Sequence, residues 1–124
     1  MTTIKNCTDI GQSKRLVEIL GFESVDMYYH YTTGVKSYYE DVPKYVQVFN
    51  HFVFFHNDIP CWSFSALFDV LPDGTDVTKD KSDIENEKYM CTVGVENDII
   101  STFADNPVDA CYEMVLKLHE RKML

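Results

Sequence analysis

Apolar residues recur with helical spacing in three parts of the chain, and the first spans about residues 9–20. There Ile10, Val17 and Leu20 fall on one stripe, which predicts an amphipathic helix. Either of the two polar residues in front of Ile10 can cap its start, and Gly21 is well placed to end it.

The second helical pattern lies between Ile59 and Pro72. Pro60 favours an extended entry, Ser63 is a natural N-cap, and Pro72 stops the helix. The spacing i, i+3, i+4 and i+7 predicts one buried face. That face consists of Phe64, Leu67, Phe68 and Leu71.

The third pattern begins at residues 105–109, Asp-Asn-Pro-Val-Asp. Asn106 is the expected N-cap, Pro107 suits the first helical position, and Asp109 favours the positive end of the helix dipole. The predicted apolar stripe consists of Val108, Cys111, Val115 and Leu118.

Between the helices, β-branched and aromatic residues predict strands at 25–31, 88–95 and 99–104, the last two joined as a hairpin. Residues 45–55 fit one strand, a hairpin or a helix, and their composition favours a strand. The order α-β-β-α-β-β-α predicts an α+β fold, with about three helices packed on a mainly antiparallel sheet.

The length of 124 residues fits a single domain, residues 1–124, able to bury a core. No apolar run is long enough to span a membrane, and the start lacks the apolar stretch of a signal peptide. We therefore expect a cytoplasmic protein whose four cysteines are reduced thiols.

Acidic residues are concentrated in one part of the chain. Residues 69–98 hold nine acidic and three basic residues, a net charge of −6 out of −9 for the whole chain. Within them, 72–83 is turn-rich and predicts a long exposed loop. The spacing of its acids fails the calcium-loop pattern. Four acids of this loop form a possible contact surface: Asp73, Asp76, Asp80 and Asp83.

Tyrosine is abundant, with eight residues in the chain. Three of them stand among charged neighbours, which predicts that at least some reach the surface, where tyrosine is a common anchor for protein partners. The three are Tyr38, Tyr39 and Tyr45. The acidic balance argues against direct nucleic-acid binding.

Residues suited to catalysis or metal binding are sparse. His56 and Cys61 could form a nucleophilic dyad, or join His51 and Asp58 in a mixed metal site. The apolar surroundings of Cys61 instead predict an inert thiol, and His119 is expected to have a structural role near a helix end. The five glycines are isolated, so no phosphate-binding loop and no cofactor is predicted.

Three segments together, residues 12–29, 59–72 and 105–120, carry a family resemblance. In order and spacing they resemble a family of short, uncharacterised proteins from Bacteroidales gut bacteria and their phages or integrated elements. The resemblance implies a cytosolic accessory protein of a mobile element or its host, and it implies no activity. We expect the three segments to fill the core and cap the helices.

These observations favour a non-enzymatic module that binds another protein, and a homo-oligomer is possible. One alternative is an acidic inhibitor that mimics DNA toward a host nucleic-acid-binding protein. A second is a small hydrolase or transferase that uses His56 and Cys61. A third, DNA binding by a homodimer through a concealed basic patch, is disfavoured by the charge balance.

Overall fold

The computed structural model describes residues 5–31, 45–48, 59–80 and 88–124. These residues form three helices and six strands. In chain order they are α1 (Ile10–Leu20), β1 (Met27–Tyr31), β2 (Tyr45–Val48), β3 (Ile59–Cys61), α2 (Phe64–Val70), β4 (Asp76–Asp80), β5 (Lys88–Val95), β6 (Asp98–Ala104) and α3 (Pro107–Glu120). The predicted α+β class is confirmed.

The described strands form two small antiparallel sheets. One has the order β2-β1-β3 and the other the order β4-β5-β6. The second sheet is built from neighbours in the chain, and β5 and β6 form the predicted hairpin. Its turn has two residues, one fewer than predicted, because Asp98 already pairs with Val95. Each sheet therefore has an edge strand on either side of a central strand.

The main core lies between α3 and the inner face of the second sheet, with α1 and α2 contributing from the sides. The predicted stripe of α3 is confirmed, because all four of its residues are fully buried. Trp62, between β3 and α2, is also fully buried. A smaller cluster beside β1 contains Cys7, Met27 and Cys61.

The predicted loop at 72–83 is wrong over its middle part. Residues 76–80 form β4, which pairs with β5 along its whole length. Only Val77 of this strand packs against the core, so the hydrophobic pattern that marks a strand is nearly absent. The main-chain hydrogen bonds to β5 hold the strand despite its polar residues. β3 likewise forms where an extended entry to α2 was expected.

Two helical faces differ from the predicted ones. In α1 the buried residues are Ser13 and Leu16, whereas the predicted stripe is only half-buried. In α2, Leu67 and Leu71 are buried but Phe68 is exposed. Because α2 has only two turns, Phe68 packs on the ring of Phe64 instead of the core, with a centroid separation of 5.8 Å.

Helix ends follow the sequence closely. Asp9 caps α1 in a reciprocal capping box with Gln12, and Gly21 ends the helix with a positive φ of 72°. The Ser63 side chain caps α2 and Asn106 caps α3. Of the ambiguous segment 45–55, residues 45–48 form β2 and the rest lie outside the described residues.

None of the described helices combines the length and the apolar character needed to cross a bilayer.

Candidate functional site

The proposed tyrosine and acid contacts are only partly within the described chain. Tyr38, Tyr39 and Asp83 lie outside the described residues, and Tyr45 begins β2. The remaining three acids lie near or on β4. Asp73 is exposed in the turn before it, Asp76 is its first residue and is exposed, and Asp80 is its last residue. The acidic-inhibitor hypothesis stays a prediction.

The residues considered for catalysis or metal binding are also only partly within the described chain. His51, His56 and Asp58 lie outside the described residues, so the dyad and the mixed metal site stay untested. Cys61 is fully buried, and its pKa is raised by the hydrogen bond it shares with Cys7 and by burial. His119 lies in the last turn of α3, where its Nδ1 is 3.0 Å from the carbonyl oxygen of Leu124.

Hydrogen bonds join the three segments that carry the family resemblance. The Thr8 hydroxyl is 2.8 Å from the Ser13 hydroxyl and accepts from the Trp62 backbone N–H. The Trp62 indole N–H donates to Ser24, 2.9 Å away. Gln12 donates to Asp109 across 2.8 Å. Together these side chains connect α1 and the residues beside it with Trp62, which follows β3, and with α3.

Asp109 is saturated with donors. Its carboxylate accepts hydrogen bonds from Lys5 at 2.7 Å, from Gln12 and from Asn106 at 2.8 Å. Burial alone would raise the pKa of Asp109, but the three donors outweigh it, and the pKa is lowered. The charged carboxylate therefore ties the segment before α1 to the first turn of α3.

A groove runs beside Asp109 between α3 and the outer edge of β6. It has a volume of about 560 Å³ and is lined by five consecutive residues, 101–105, from β6 into the following turn. Glu113 and Lys117 of α3 line its other side. Consecutive lining residues are typical of a strand's edge, because a sheet face would present every second residue. Lys88 of β5 and Gln12 of α1 line the rest of the groove.

The register shows which backbone groups of β6 point away from β5, toward the open edge of the sheet. Val95 and Asp98 close the two-residue turn and therefore form a hydrogen-bonded pair. Antiparallel pairs alternate, so Ile100, Thr102 and Ala104 bond to β5, while the residues between them direct their N–H and C=O groups to the opposite side. Those residues are Ile99, Ser101 and Phe103.

Contacts at this edge agree with that assignment. The ammonium of Lys117, which lines the groove, lies 3.4 Å from the carbonyl oxygen of Ser101. The Ile99 N–H donates to the side chain of Asp98. No described strand pairs with β6 on this side. The N–H groups of Ser101 and Phe103 therefore have no partner within the described chain.

The side chains of the same edge residues are largely apolar and exposed. Ile99 is 68% exposed and Phe103 is 50% exposed. Ile99 lies opposite Gly94, which has no side chain to cover it. Ser101 lies between the two apolar residues on the outer face of the sheet, opposite Thr92.

The two edges of this sheet are chemically different. β4 carries charge at three of its five positions, which is a usual protection of edge strands against pairing with another chain. β6 has seven residues and carries one charge, Asp98, at its first position. Over residues 99–104 the edge lacks such protection.

Sequence reasoning identified β6 as a strand but missed its edge as a site. The exposed Ile99 and Phe103 are four residues apart with a serine midway, which places all three on one face of a strand. This spacing could have indicated an apolar strand face from the sequence alone. The other half of the site, the side of α3 that faces the groove, depends on how α3 packs on the sheet.

Among the described residues, no group of three or more His, Cys, Asp or Glu side chains is arranged to hold a metal ion. No protein-family model matches the chain, and no curated protein or solved structure is significantly similar to it.

Proposed function

We propose that this protein is a non-enzymatic binding module that takes an extended segment of a partner protein along the edge of β6. The observation that carries the proposal is the pair of unprotected N–H groups at Ser101 and Phe103, flanked by exposed apolar side chains. An added strand gains main-chain hydrogen bonds from such an edge and specificity from alternate side chains.

The groove has the dimensions of a short extended peptide. Five residues at about 3.3 Å each give a length of about 16 Å. One face of the added strand would lie beside Phe103 and, beyond the end of the groove, beside the exposed Ile99. The other face would lie toward Glu113 and Lys117. The partner segment therefore has apolar residues at positions i and i+4, a small or polar residue at i+2, and polar residues at i+1 and i+3.

A partner protein fits this edge better than a second copy of the chain. Two copies would each bring a net charge of −9, and like charges oppose self-association. The resemblance to accessory proteins of mobile elements is consistent with an adaptor that acts through a heterologous partner.

The proposal is tested by selecting peptides from a random phage-displayed library on the immobilised full-length chain. Enriched peptides are then measured by calorimetry against three variants. Ile99→Lys adds charge to the edge, and Ser101→Pro removes an outward N–H that β5 does not use. Thr78→Lys, on the exposed face of β4, is the matched control.

We expect enriched peptides with the i, i+4 apolar pattern, whose binding is lost in Ile99→Lys and Ser101→Pro and kept in Thr78→Lys. The proposal is wrong if no peptide is enriched, or if the peptides bind the three variants equally. Sedimentation of the isolated chain tests whether a second copy binds instead. If the chain is a dimer and the Ser101→Pro variant is a monomer, the β6 edge binds a second copy and not a partner protein.

A further inference from the structure

Three sulfur-bearing side chains form a separate buried cluster beside β1. Cys7, Met27 and Cys61 pack together, and none of them is more than 2% exposed. Tyr29 packs against the cluster from one side. This cluster is independent of the β6 edge, and the inference drawn from it does not rest on the proposed function.

Strand register explains why the three side chains converge. Met27 of β1 lies directly opposite Cys61 of β3. Cys7 forms an isolated antiparallel bridge with Ser63, two residues beyond Cys61 on the same side. Cys61 therefore has Met27 of β1 beside it on one side. On the other side, Cys7 lies diagonally across from it.

The thiols are hydrogen-bonded to each other. The bond from Cys61 is the main cause that lowers the pKa of Cys7 to about 7, and the Tyr29 hydroxyl lies 3.4 Å from the Cys7 sulfur. The same hydroxyl donates to the Thr8 carbonyl oxygen. Thiolate is the form of cysteine that binds metals.

We infer that Cys7, Cys61 and Met27 form a binding site for a soft monovalent metal ion, Cu(I). Thiolate and thioether sulfurs are the ligands that this ion prefers. Zn²⁺ takes four nitrogen, oxygen or thiolate ligands in structural sites, and the cluster supplies only two thiolates. On binding, both thiols give up their protons to solvent and no electron transfer is involved.

The second cysteine pair provides an internal comparison. Cys91 and Cys111 also share a hydrogen bond, but they lie in the main core between β5 and α3. Cys7 lies in a single bridge outside the regular strands, and such segments open at lower free energy than the core elements beside them. We therefore expect one Cu(I) per chain rather than two.

The test is an anaerobic titration of the reduced full-length protein with Cu(I) supplied as its bicinchoninate complex. The loss of the chelate's colour reports transfer to the protein. The variants are Cys7→Ser, Cys61→Ser and Met27→Leu, with Cys91→Ser as the matched control and circular dichroism as the check on folding.

We expect one equivalent to transfer to the parent protein and to Cys91→Ser, and the complex to be lost in Cys7→Ser and Cys61→Ser. Met27→Leu should keep the stoichiometry but bind Cu(I) at least about tenfold more weakly. A loss of about tenfold is the smallest usually seen even when a residue that only supports the metal ligands is removed. Cu K-edge absorption of the parent complex should show sulfur neighbours alone.

Absence of transfer to the parent protein, or transfer that survives in a folded Cys7→Ser variant, overturns the inference. Nitrogen or oxygen neighbours in the absorption spectrum do the same. The spectrum is recorded on the parent protein, so it decides the question even where a serine variant does not fold.

Discussion

At the scale of single residues, Thr8 shows how a small side chain can join remote parts of the chain. Its N–H donates to the Trp62 carbonyl at 2.9 Å, its hydroxyl contacts Ser13 and the Trp62 N–H, and its carbonyl accepts from Tyr29. Thr8, Ser13 and Trp62 are fully buried, so the bonds among them matter mainly because their loss would leave a buried partner unsatisfied.

We expect Thr8→Val to lower the free energy of unfolding by about 2 kcal/mol, because the isosteric valine leaves the Trp62 N–H and the Ser13 hydroxyl without their partner. Urea denaturation measures the change. Thr78→Val, at an exposed position of β4, should shift it by no more than about 0.5 kcal/mol. Equal effects of the two substitutions would show that the hydroxyl network does not stabilise the fold.

Asp109 is the residue whose charge should control stability in acid. Its pKa is lower in the folded than in the unfolded chain, so its stabilising contribution is present above the unfolded value of about 3.9 and is lost as the pH falls below it. Asp109→Asn should lower the free energy of unfolding by about 2 kcal/mol at pH 7. It should also flatten the dependence on pH below about 4.

Glu113→Gln is the control for this measurement, since Glu113 is exposed one turn further along α3. Denaturation curves between pH 7 and about pH 3 compare the three proteins across that range. If the free energy of unfolding of Asp109→Asn still falls at low pH as it does in the parent protein, other carboxyl groups cause the loss of stability.

At the scale of elements, the sequence predicted those features that depend on residues close together in the chain. The caps Asp9, Ser63 and Asn106 act on residues three positions away, and the sequence predicted the starts of all three helices, with Asp9 as one of two candidates for the first. β4 is held by pairing with β5 and buries little of its own, so its residues gave no strand pattern. The buried face of α1 depends on contacts with other elements, which periodicity alone does not define.

The turn between β5 and β6 contains a strained residue. Glu96 has a positive φ of 51°, a region that costs residues with a side chain about 1–2 kcal/mol and that glycine adopts freely. Glu96→Gly should therefore raise the free energy of unfolding by about 1 kcal/mol.

Asn97→Gly is the control in thermal and urea denaturation, because Asn97 has no positive φ and gains no such relief. If Asn97→Gly stabilises as much as Glu96→Gly, the effect does not come from backbone strain.

At the scale of the whole molecule, the second sheet has a charged edge at β4 and an apolar one at β6. The charge distribution of the sequence favoured the acids of residues 73–83, together with the tyrosines, as the contact surface, and that choice stays a prediction. The β6 groove could not be predicted, because it combines a strand edge with α3, and their relative position is a property of the packed core.

Hydrogen exchange along β6 in the isolated protein measures the state of this edge directly. If the edge is available for an added strand, the amides of Ser101 and Phe103 exchange quickly, while those of Ile100, Thr102 and Ala104, which bond to β5, exchange slowly. A peptide selected on the chain should then slow the exchange of Ser101 and Phe103 alone. Uniformly slow exchange along β6 in the isolated protein, or no change at Ser101 and Phe103 when the peptide binds, would contradict strand addition at this edge.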